Sequence, residues 1–251
     1  MPKGKFAQLT SWSFSVYTQY VKCPYSVCLD KIQRVRIAEP PNPHFAKGDC
    51  AHKMAEDCIG GSGRMPALKK TVKSPVDGAP IKVDLSTVKD MLTRLRKAKA
   101  RVEQEWAFDR QWNPVDWRDW NRAWLRVKTD VCADTQEPPT VEVVDWKTGK
   151  VHAEHAQQRS LYALGGLRLV QLGALAGGSN AVKLTAQHVY VDTGQSATEE
   201  YGMKDLKPLQ REWLARTKQM MEDTTYPTNP GPHCRWCKYA KSKGGPCPER
   251  V

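Results

Sequence analysis

Apolar and polar residues follow two periods along the chain. Apolar positions at helical spacing predict helices over residues 11–32, 45–59, 84–102, 155–172 and 205–221. A period of two predicts strands over residues 102–108, 123–133, 140–146 and 185–191. The segment between the second and third helices reads as a polar loop with scattered prolines, up to about Pro80. This order of elements predicts an α/β protein with a central mixed sheet flanked by helices.

Length and charge narrow the function classes. At 251 residues the chain is long enough to bury a core, and it has no run of 18 apolar residues that would span a membrane. The polar beginning leads us to expect no signal peptide. Lys and Arg number 39 against 27 Asp and Glu, a net charge of +12. That excess of positive charge favours a polyanionic partner, and a nucleic acid is favoured over a membrane surface. The same charge is also compatible with a role in solubility alone.

The cysteines cluster towards the C-terminus. Eight cysteines without a secretory signal favour a reducing compartment, where clustered thiols bind metal more often than they pair. Cys234 and Cys237 form a C-x-x-C pair, and nine residues separate Cys237 from Cys247. The candidates for a fourth ligand are Cys23, Cys28 and His233. Zinc and an iron–sulfur cluster are both compatible with this pattern.

The segment VEVVDWKTGK carries the most chemistry. Asp145 and Lys147 are two residues apart on a predicted strand, so their side chains project from one face. If the turn at residues 134–139 closes an antiparallel hairpin, Asp130 reaches the same face. Two neighbouring carboxylates repel unless a cation lies between them, and their oxygens suit Mg²⁺ or Mn²⁺. A lysine beside such a site orients an attacking water and offsets charge on a phosphate.

Four motifs in order resemble the PD-(D/E)XK nuclease superfamily, in its RecB-like branch. They are the G-x-x-x-H pattern ending at His52, the strand residue Asp130, the D-x-K-T-G run from Asp145, and a Q-x-x-x-Y pair, Gln158 and Tyr162. The resemblance implies a restriction-endonuclease-like core. It also implies one nuclease domain over residues 1–251, with N-terminal helices (11–59), a core (84–221) and a cysteine tail (222–251).

The resemblance further implies roles for these residues. His52, Asp130 and Asp145 would hold one or two divalent ions, with the backbone carbonyl of Trp146 as a further ligand. Lys147 would position the attacking water, while Gln158 and Tyr162 orient the strand or the water. An acidic residue is also expected on the first core strand, where Glu103 is preferred over Glu105.

Both chain ends are similar to AddB-type and CRISPR-adaptation nucleases. The early stretch contains Ser13, Ser15, Tyr20, Cys23 and Pro24, and three cysteines follow the core. In those relatives one early and three late cysteines bind a 4Fe–4S cluster that clasps the chain ends. The implied ligands are Cys23, Cys234, Cys237 and Cys247, while the long gap before the last one keeps zinc, or a site using Cys28 or His233, as an alternative.

The resemblance thus predicts a metal-dependent DNA exonuclease of a phage, active in recombination, repair or degradation in the cytoplasm of an infected bacterium. DNA is the expected partner, and a recombination or helicase partner and the oligomeric state stay open. One alternative is a non-catalytic DNA-binding or assembly module with this fold, and another is a zinc-stabilised RNA-binding protein. The predicted stacking platforms for single-stranded bases are Trp112, Trp117, Trp120 and Trp124.

Overall fold

Strands form a two-stranded hairpin and a six-stranded mixed sheet. The computed structural model describes residues 5–39 and 41–249. The strands in these residues are β1 (Lys69–Lys73), β2 (Pro80–Asp84), β3 (Arg101–Phe108), β4 (Pro114–Val115), β5 (Leu125–Gln136), β6 (Pro139–Lys147), β7 (Lys183–Tyr190) and β8 (Gln195–Tyr201). β1 pairs only with β2, and the large sheet has the order β4-β3-β5-β6-β7-β8. The pair β6–β7 is parallel, whereas β5–β6 and β7–β8 are antiparallel, which confirms the predicted mixed sheet.

Helices flank the sheet, as predicted. The α-helices in the described residues are α1 (Phe14–Lys22), α2 (Pro24–Val27), α3 (Pro43–Gly60), α4 (Lys89–Lys97), α5 (Glu154–Gln171) and α6 (Leu206–Glu222). A π-helical turn, Cys28–Ile32, continues α2. Within the described ranges no helix combines the length and apolar character needed to cross a membrane.

The chain divides into two compact units. The first contains residues 1–40, 107–126 and 211–251, and the second contains residues 41–106 and 127–210. In the second unit, α3 and α4 bury an apolar core against the hairpin and the sheet. Its fully buried members include Cys58, Leu92, Leu95 and Val144. This core fixes the position of α3, the helix that carries His52.

Aromatic residues dominate the core of the first unit. Trp12 lies between Trp124 and Trp213, with both ring centroids 5.6 Å from its own. Trp112 packs edge-on against Trp124 at 5.4 Å, and both are nearly fully buried. Two of the four predicted stacking platforms are therefore core residues, whereas Trp120 is 71% exposed.

Several predicted elements differ from the structure. The helix predicted over residues 11–32 breaks at Cys23, which is extended (φ −161°, ψ 105°) because the following Pro24 disfavours helical backbone there. The helix predicted over residues 84–102 is confined to α4 after a short 3₁₀ turn. The predicted polar loop contains β1 and the turn of the hairpin, and β2 follows from Pro80 to Asp84; the alternation of both strands is masked by their lysines.

Candidate active site and metal centre

Three potential metal ligands from three elements lie together. They are His52 on α3, Glu103 on β3 and Asp130 on β5, and one ligand atom from each lies within 4.8 Å of the other two. His52 Nδ1 is 3.3 Å from Asp130 Oδ1. Oxygens sharing one Mg²⁺ at about 2.1 Å are at most about 4.2 Å apart, so small side-chain adjustments place all three on one ion. The spacing and the nitrogen and oxygen donors therefore fit a divalent cation.

Glu103 reaches this group from an unusual backbone conformation. Its φ of +51° lies in the left-handed region, which non-glycine residues rarely adopt inside a strand. Lys128 Nζ lies 2.5 Å from Glu103 Oε2. Glu105 is exposed and is not part of the ligand group. Strained backbone persists where surrounding structure holds it and is frequent at active sites, so this outlier supports a functional position for Glu103.

Asp145 and Lys147 form the second part of the site, on β6. Lys147 Nζ is 2.5 Å from Asp145 Oδ2, as expected for two residues that project from one face of a strand. β5 and β6 pair with Val131 opposite Val144, which brings Asp130 beside this segment. There, Asp130 Oδ2 accepts a 2.7 Å hydrogen bond from the backbone N–H of Trp146.

Gln158 and Tyr162 on α5 hold the aspartate–lysine pair in place. Tyr162 donates a 2.5 Å hydrogen bond to Asp145 Oδ1, and Gln158 Nε2 lies 2.6 Å from the Tyr162 hydroxyl. Lys147 Nζ in turn donates to Gln158 Oε1 at 3.2 Å. The four side chains thus form a closed ring of polar contacts that fixes the lysine ammonium.

The two site carboxylates have oppositely shifted pKa values. Burial raises the pKa of Asp130, and the nearby Asp145 carboxylate raises it further. Burial also acts to raise the pKa of Asp145, but the Lys147 ammonium and other neighbours outweigh it and hold that pKa below its usual value. A cation among these groups stabilises the ionised form of both carboxylates, which is a further sign that the site fits one.

A second line of polar residues lies behind Asp145, and the sequence reasoning missed it. His188 on β7 pairs with Asp145 in the parallel ladder, is fully buried, and its Nε2 is 3.6 Å from Asp145 Oδ2. Arg159 Nη1 lies 3.2 Å from His188 Nδ1, and Arg159 Nη2 donates to Glu199 at 2.8 Å. Because an arginine only donates, His188 carries its proton on Nε2, facing Asp145. Burial lowers the pKa of His188 to about 3, so the ring is neutral.

The turn after β6 requires its glycine. Gly149 has φ +99°, a conformation that L side chains rarely adopt, and its N–H donates to Asp192 at 3.2 Å. Asp192 also pairs with Lys47 of α3 at 2.6 Å. A Cβ placed on Gly48 would lie 3.6 Å from Thr148 Oγ1, which shows how closely α3 approaches this turn.

These residues border an open cleft of about 640 Å³. Its walls include His52, Glu103, Lys128, Lys147 and Thr148. A lining that combines carboxylates with ammonium groups suits a cation together with an anionic substrate. The buried Asp145 lies behind this surface.

The first unit contains the cysteine pocket. Its lining includes Cys23, Cys234, Cys237, Cys247 and His233. Burial raises the pKa of the Cys247 thiol, and the nearby thiols of Cys23 and Cys237 raise it further. His233 Nε2 is buried and has no hydrogen-bond partner among the described residues.

Cys28 is separate from these side chains. It is fully buried, it does not line the pocket, and its Sγ accepts a 3.7 Å hydrogen bond from Gln33. Of the two alternative ligands considered from the sequence, the structure therefore places His233 with the cysteines and leaves Cys28 apart.

Comparison with protein-family models agrees with the fold. Residues 11–242 match the family model of the PD-(D/E)XK nuclease superfamily. Because the match covers most of the chain, this protein belongs to the PD-(D/E)XK nuclease superfamily, whose nucleases use divalent metal ions. The assignment confirms the predicted superfamily and favours the nuclease interpretation over the RNA-binding alternative.

Two further comparisons add little. No curated protein matches the chain. Among solved structures, the chain is similar to the crystal structure of SSO0001, with 13% sequence identity and a TM-score of 0.42, over 98% of this chain and 89% of that one. Likeness at this level carries no weight in the assignment, which stands on the family match.

Proposed function

We propose that this protein is a metal-dependent DNA exonuclease of the RecB-like branch, in which one nuclease domain spans residues 1–251. The observation that carries the proposal is the ligand group of His52, Glu103 and Asp130 next to the Asp145–Lys147 pair. Carboxylates, an imidazole and a lysine at one cleft are the side chains that hydrolysis of a phosphodiester requires.

His52, Glu103 and Asp130 would hold Mg²⁺ or Mn²⁺, with Asp145 and the Trp146 carbonyl as additional oxygen donors. Such an ion supplies a water of lowered pKa and offsets negative charge on the phosphate. Tyr162 holds the Asp145 carboxylate, while His188 and Arg159 support it from behind. The hydrogen bond from Tyr162, with His188 packed 3.6 Å from the other carboxylate oxygen, fixes the orientation of the ligand before substrate binds.

Lys147 acts on the substrate side of the site. Its ammonium lines the cleft, and Gln158 and Asp145 fix its position. From there it positions the attacking water and stabilises the charge that develops on the phosphate oxygens. Lys128, which also lines the cleft, adds attraction for the phosphate backbone without reading bases.

The second part of the proposal is a 4Fe–4S cluster on Cys23, Cys234, Cys237 and Cys247. Cysteines from both chain ends line one pocket, which supports a structural clasp. Thiolates on one zinc ion, bound at about 2.3 Å, lie about 3.8 Å apart. Among the described residues no three cysteine sulfurs lie within 4.8 Å of one another, so these sulfurs are not already gathered at zinc spacing. The unpartnered Nε2 of His233 keeps a zinc site with mixed ligands as the competing arrangement.

We further propose a phage origin and a role in DNA recombination, repair or degradation in the host cytoplasm. These points follow from the resemblance to compact RecB-like nucleases that phages encode. A helicase or single-strand annealing partner would fit such a role.

The decisive experiment is digestion of linear DNA labelled at one end or the other, with closed circular DNA alongside. We expect cleavage only with Mg²⁺ or Mn²⁺, progressive loss of label from one end first, and intact circular DNA. A chelator should stop the reaction, and Asp145→Ala should be inactive. Cutting of the circle would show an endonuclease instead. Bound but uncut DNA under all conditions would establish the non-catalytic alternative.

Glu103 and Glu105 provide a matched pair for the metal site. Glu103→Gln should lower the cleavage rate by at least about tenfold and raise the Mn²⁺ concentration needed for half-maximal activity, because one charged ligand is lost. Glu105→Gln changes the same group two residues away on an exposed position and should leave both values unchanged. Equal effects of the two substitutions would contradict the placement of Glu103 in the site.

A further inference from the structure

A second pocket, which the catalytic proposal does not use, lies in the first unit. It has a volume of about 420 Å³, within the range of small-ligand sites. Three cationic side chains line it: Lys31, Arg34 and Arg126. Among the described residues no carboxylate lines this pocket, and the nearby Asp30 pairs with Lys31 at 2.9 Å. The pocket therefore favours an anion.

Two buried donors in the wall have no acceptor. Arg126 is only 9% exposed and uses Nε and Nη1 on the carbonyls of Trp117 and Ala123, but its Nη2 has no hydrogen-bond partner among the described residues. Trp12 Nε1 is also buried without a partner. Both atoms have less than 1 Å² of accessible surface, so these donors make the wall of the pocket polar without being open to a ligand themselves.

The backbone holds both donors rigidly. Trp12 N–H donates to the Trp124 carbonyl at 2.8 Å, and Arg126 N–H donates to the Trp12 carbonyl at 2.9 Å. The Trp12 ring is fixed between Trp124 and Trp213. Helix α1 begins beside the pocket after its N-cap Ser13, which adds the positive end of a helix dipole. The wall of the pocket is thus rigid and positively charged.

An exposed aromatic ring forms the edge of the pocket. Trp120 is 71% exposed, although Arg126 lies against one of its faces with Cζ 4.3 Å from the ring centroid. A tryptophan backed by a guanidinium offers a flat surface on which a nucleobase stacks. The pocket thus combines cationic side chains, which suit the phosphate of a nucleotide, with an aromatic surface, which suits its base.

We propose that this pocket binds one nucleotide unit of a single DNA strand, with the phosphate held by the cationic side chains of Lys31, Arg34 and Arg126 and the base stacked on Trp120. The proposal rests on the proposed action on DNA and adds a second contact that holds the strand. Its contribution is affinity for single-stranded DNA, independent of the chemistry of cleavage.

The test is the affinity of the full-length protein for fluorescein-labelled oligothymidylate, measured by anisotropy without added divalent ion. Trp120→Ala should weaken binding about tenfold, because one stacked base is lost. Arg34→Gln should weaken binding and lower the slope of log K against log salt by about 1. Arg36→Gln is the matched control, since Arg36 is exposed and does not line the pocket. This control should bind like the native protein.

Competition identifies the ligand more closely. Thymidine monophosphate should displace the labelled strand better than inorganic phosphate, and Trp120→Ala should remove the difference. Equal competition by both compounds in the native protein would overturn the stacked base. Unchanged affinity in both pocket variants would overturn the site itself. These outcomes are separate from cleavage, because a native protein that cuts DNA while the pocket variants bind normally refutes only the pocket.

Discussion

Lys147→Ala should reduce DNA cleavage by about 10³-fold while the affinity for DNA changes little. Lys147 is the one ammonium in the Asp145–Tyr162–Gln158 ring, and the ring holds it at the cleft. A charge fixed at this position stabilises the transition state more than it stabilises bound substrate. Its loss therefore lowers kcat rather than binding.

Single-turnover cleavage of end-labelled DNA with saturating Mn²⁺ measures this effect, and anisotropy without divalent ion measures binding. Lys150→Ala is the matched control, because Lys150 is an exposed lysine three residues further along. It should lose at most a small part of the rate. Thermal unfolding checks that Lys147→Ala remains folded with Asp145 deprived of its partner. Parallel loss of binding and cleavage in a folded variant would contradict the assigned role.

The mixed sheet and its flanking helices could be predicted from the sequence because the buried strands have strongly apolar patterns. In β6, the side chains of Val141, Val143 and Val144 are fully buried, and the neighbouring strands β5 and β7 are similarly apolar. By contrast β8 was not predicted. It lies at the edge of the sheet, where one side has no neighbouring strand, and its sequence QSATEEY is mostly polar. An edge strand needs no continuous apolar face, so its pattern resembles a loop.

For the site, the sequence predicted which residue types matter but not how they are arranged. The ring of polar contacts forms because α5 packs on the face of the sheet from which Asp145 and Lys147 project. The hydrogen bonds from Lys147 to Gln158 and from Tyr162 to Asp145 connect the two elements. The support from His188 depends on the register of the parallel pair β6–β7. Register is a property of strand pairing, which no single segment encodes.

The sequence pattern was also unable to show which of Glu103 and Glu105 belongs to the metal-ligand group. A regular strand places both on one side, and composition does not separate them. The left-handed φ of Glu103 interrupts that regularity and brings only this carboxylate to His52 and Asp130. Non-glycine residues rarely adopt such a conformation, so a sequence pattern does not reveal it.

The burial of the tryptophan side chains separates core residues from candidates for base stacking, and the sequence alone does not show this difference. Trp112 and Trp124 were candidates for base stacking together with Trp120, and all three lie in one short stretch. The structure assigns the first two to the core and exposes the third beside the donors of Trp12 and Arg126. The unpartnered donors are equally hidden in the sequence, since hydrogen-bond satisfaction depends on the folded surroundings.

If the proposed cluster is present, Cys234→Ala should lower the iron content and the midpoint of thermal unfolding, the latter by about 10 °C or more, since a bound structural metal contributes many kcal/mol to folding. The pocket joins Cys23 of the N-terminal helices to the C-terminal cysteines, so the substitution removes one of the links between the two ends of the chain. Iron, acid-labile sulfide and zinc analysis of the protein as purified gives the first readout, and calorimetry gives the second. Cys50→Ala is the control, because Cys50 does not line the pocket.

Metal and sulfide analysis distinguishes the 4Fe–4S cluster from the zinc site with mixed ligands. Four irons and sulfides in the native protein, lost in Cys234→Ala and retained in Cys50→Ala and His233→Ala, support the cluster on Cys23, Cys234, Cys237 and Cys247. One zinc per chain without sulfide, lost in His233→Ala, establishes instead the mixed site that the unpartnered His233 Nε2 favours. Unchanged metal content and an unchanged unfolding midpoint in Cys234→Ala would refute both ligand sets. Because the cluster serves only as a clasp in this proposal, any variant that stays folded should keep its cleavage rate with Mn²⁺, which separates this site from the catalytic one.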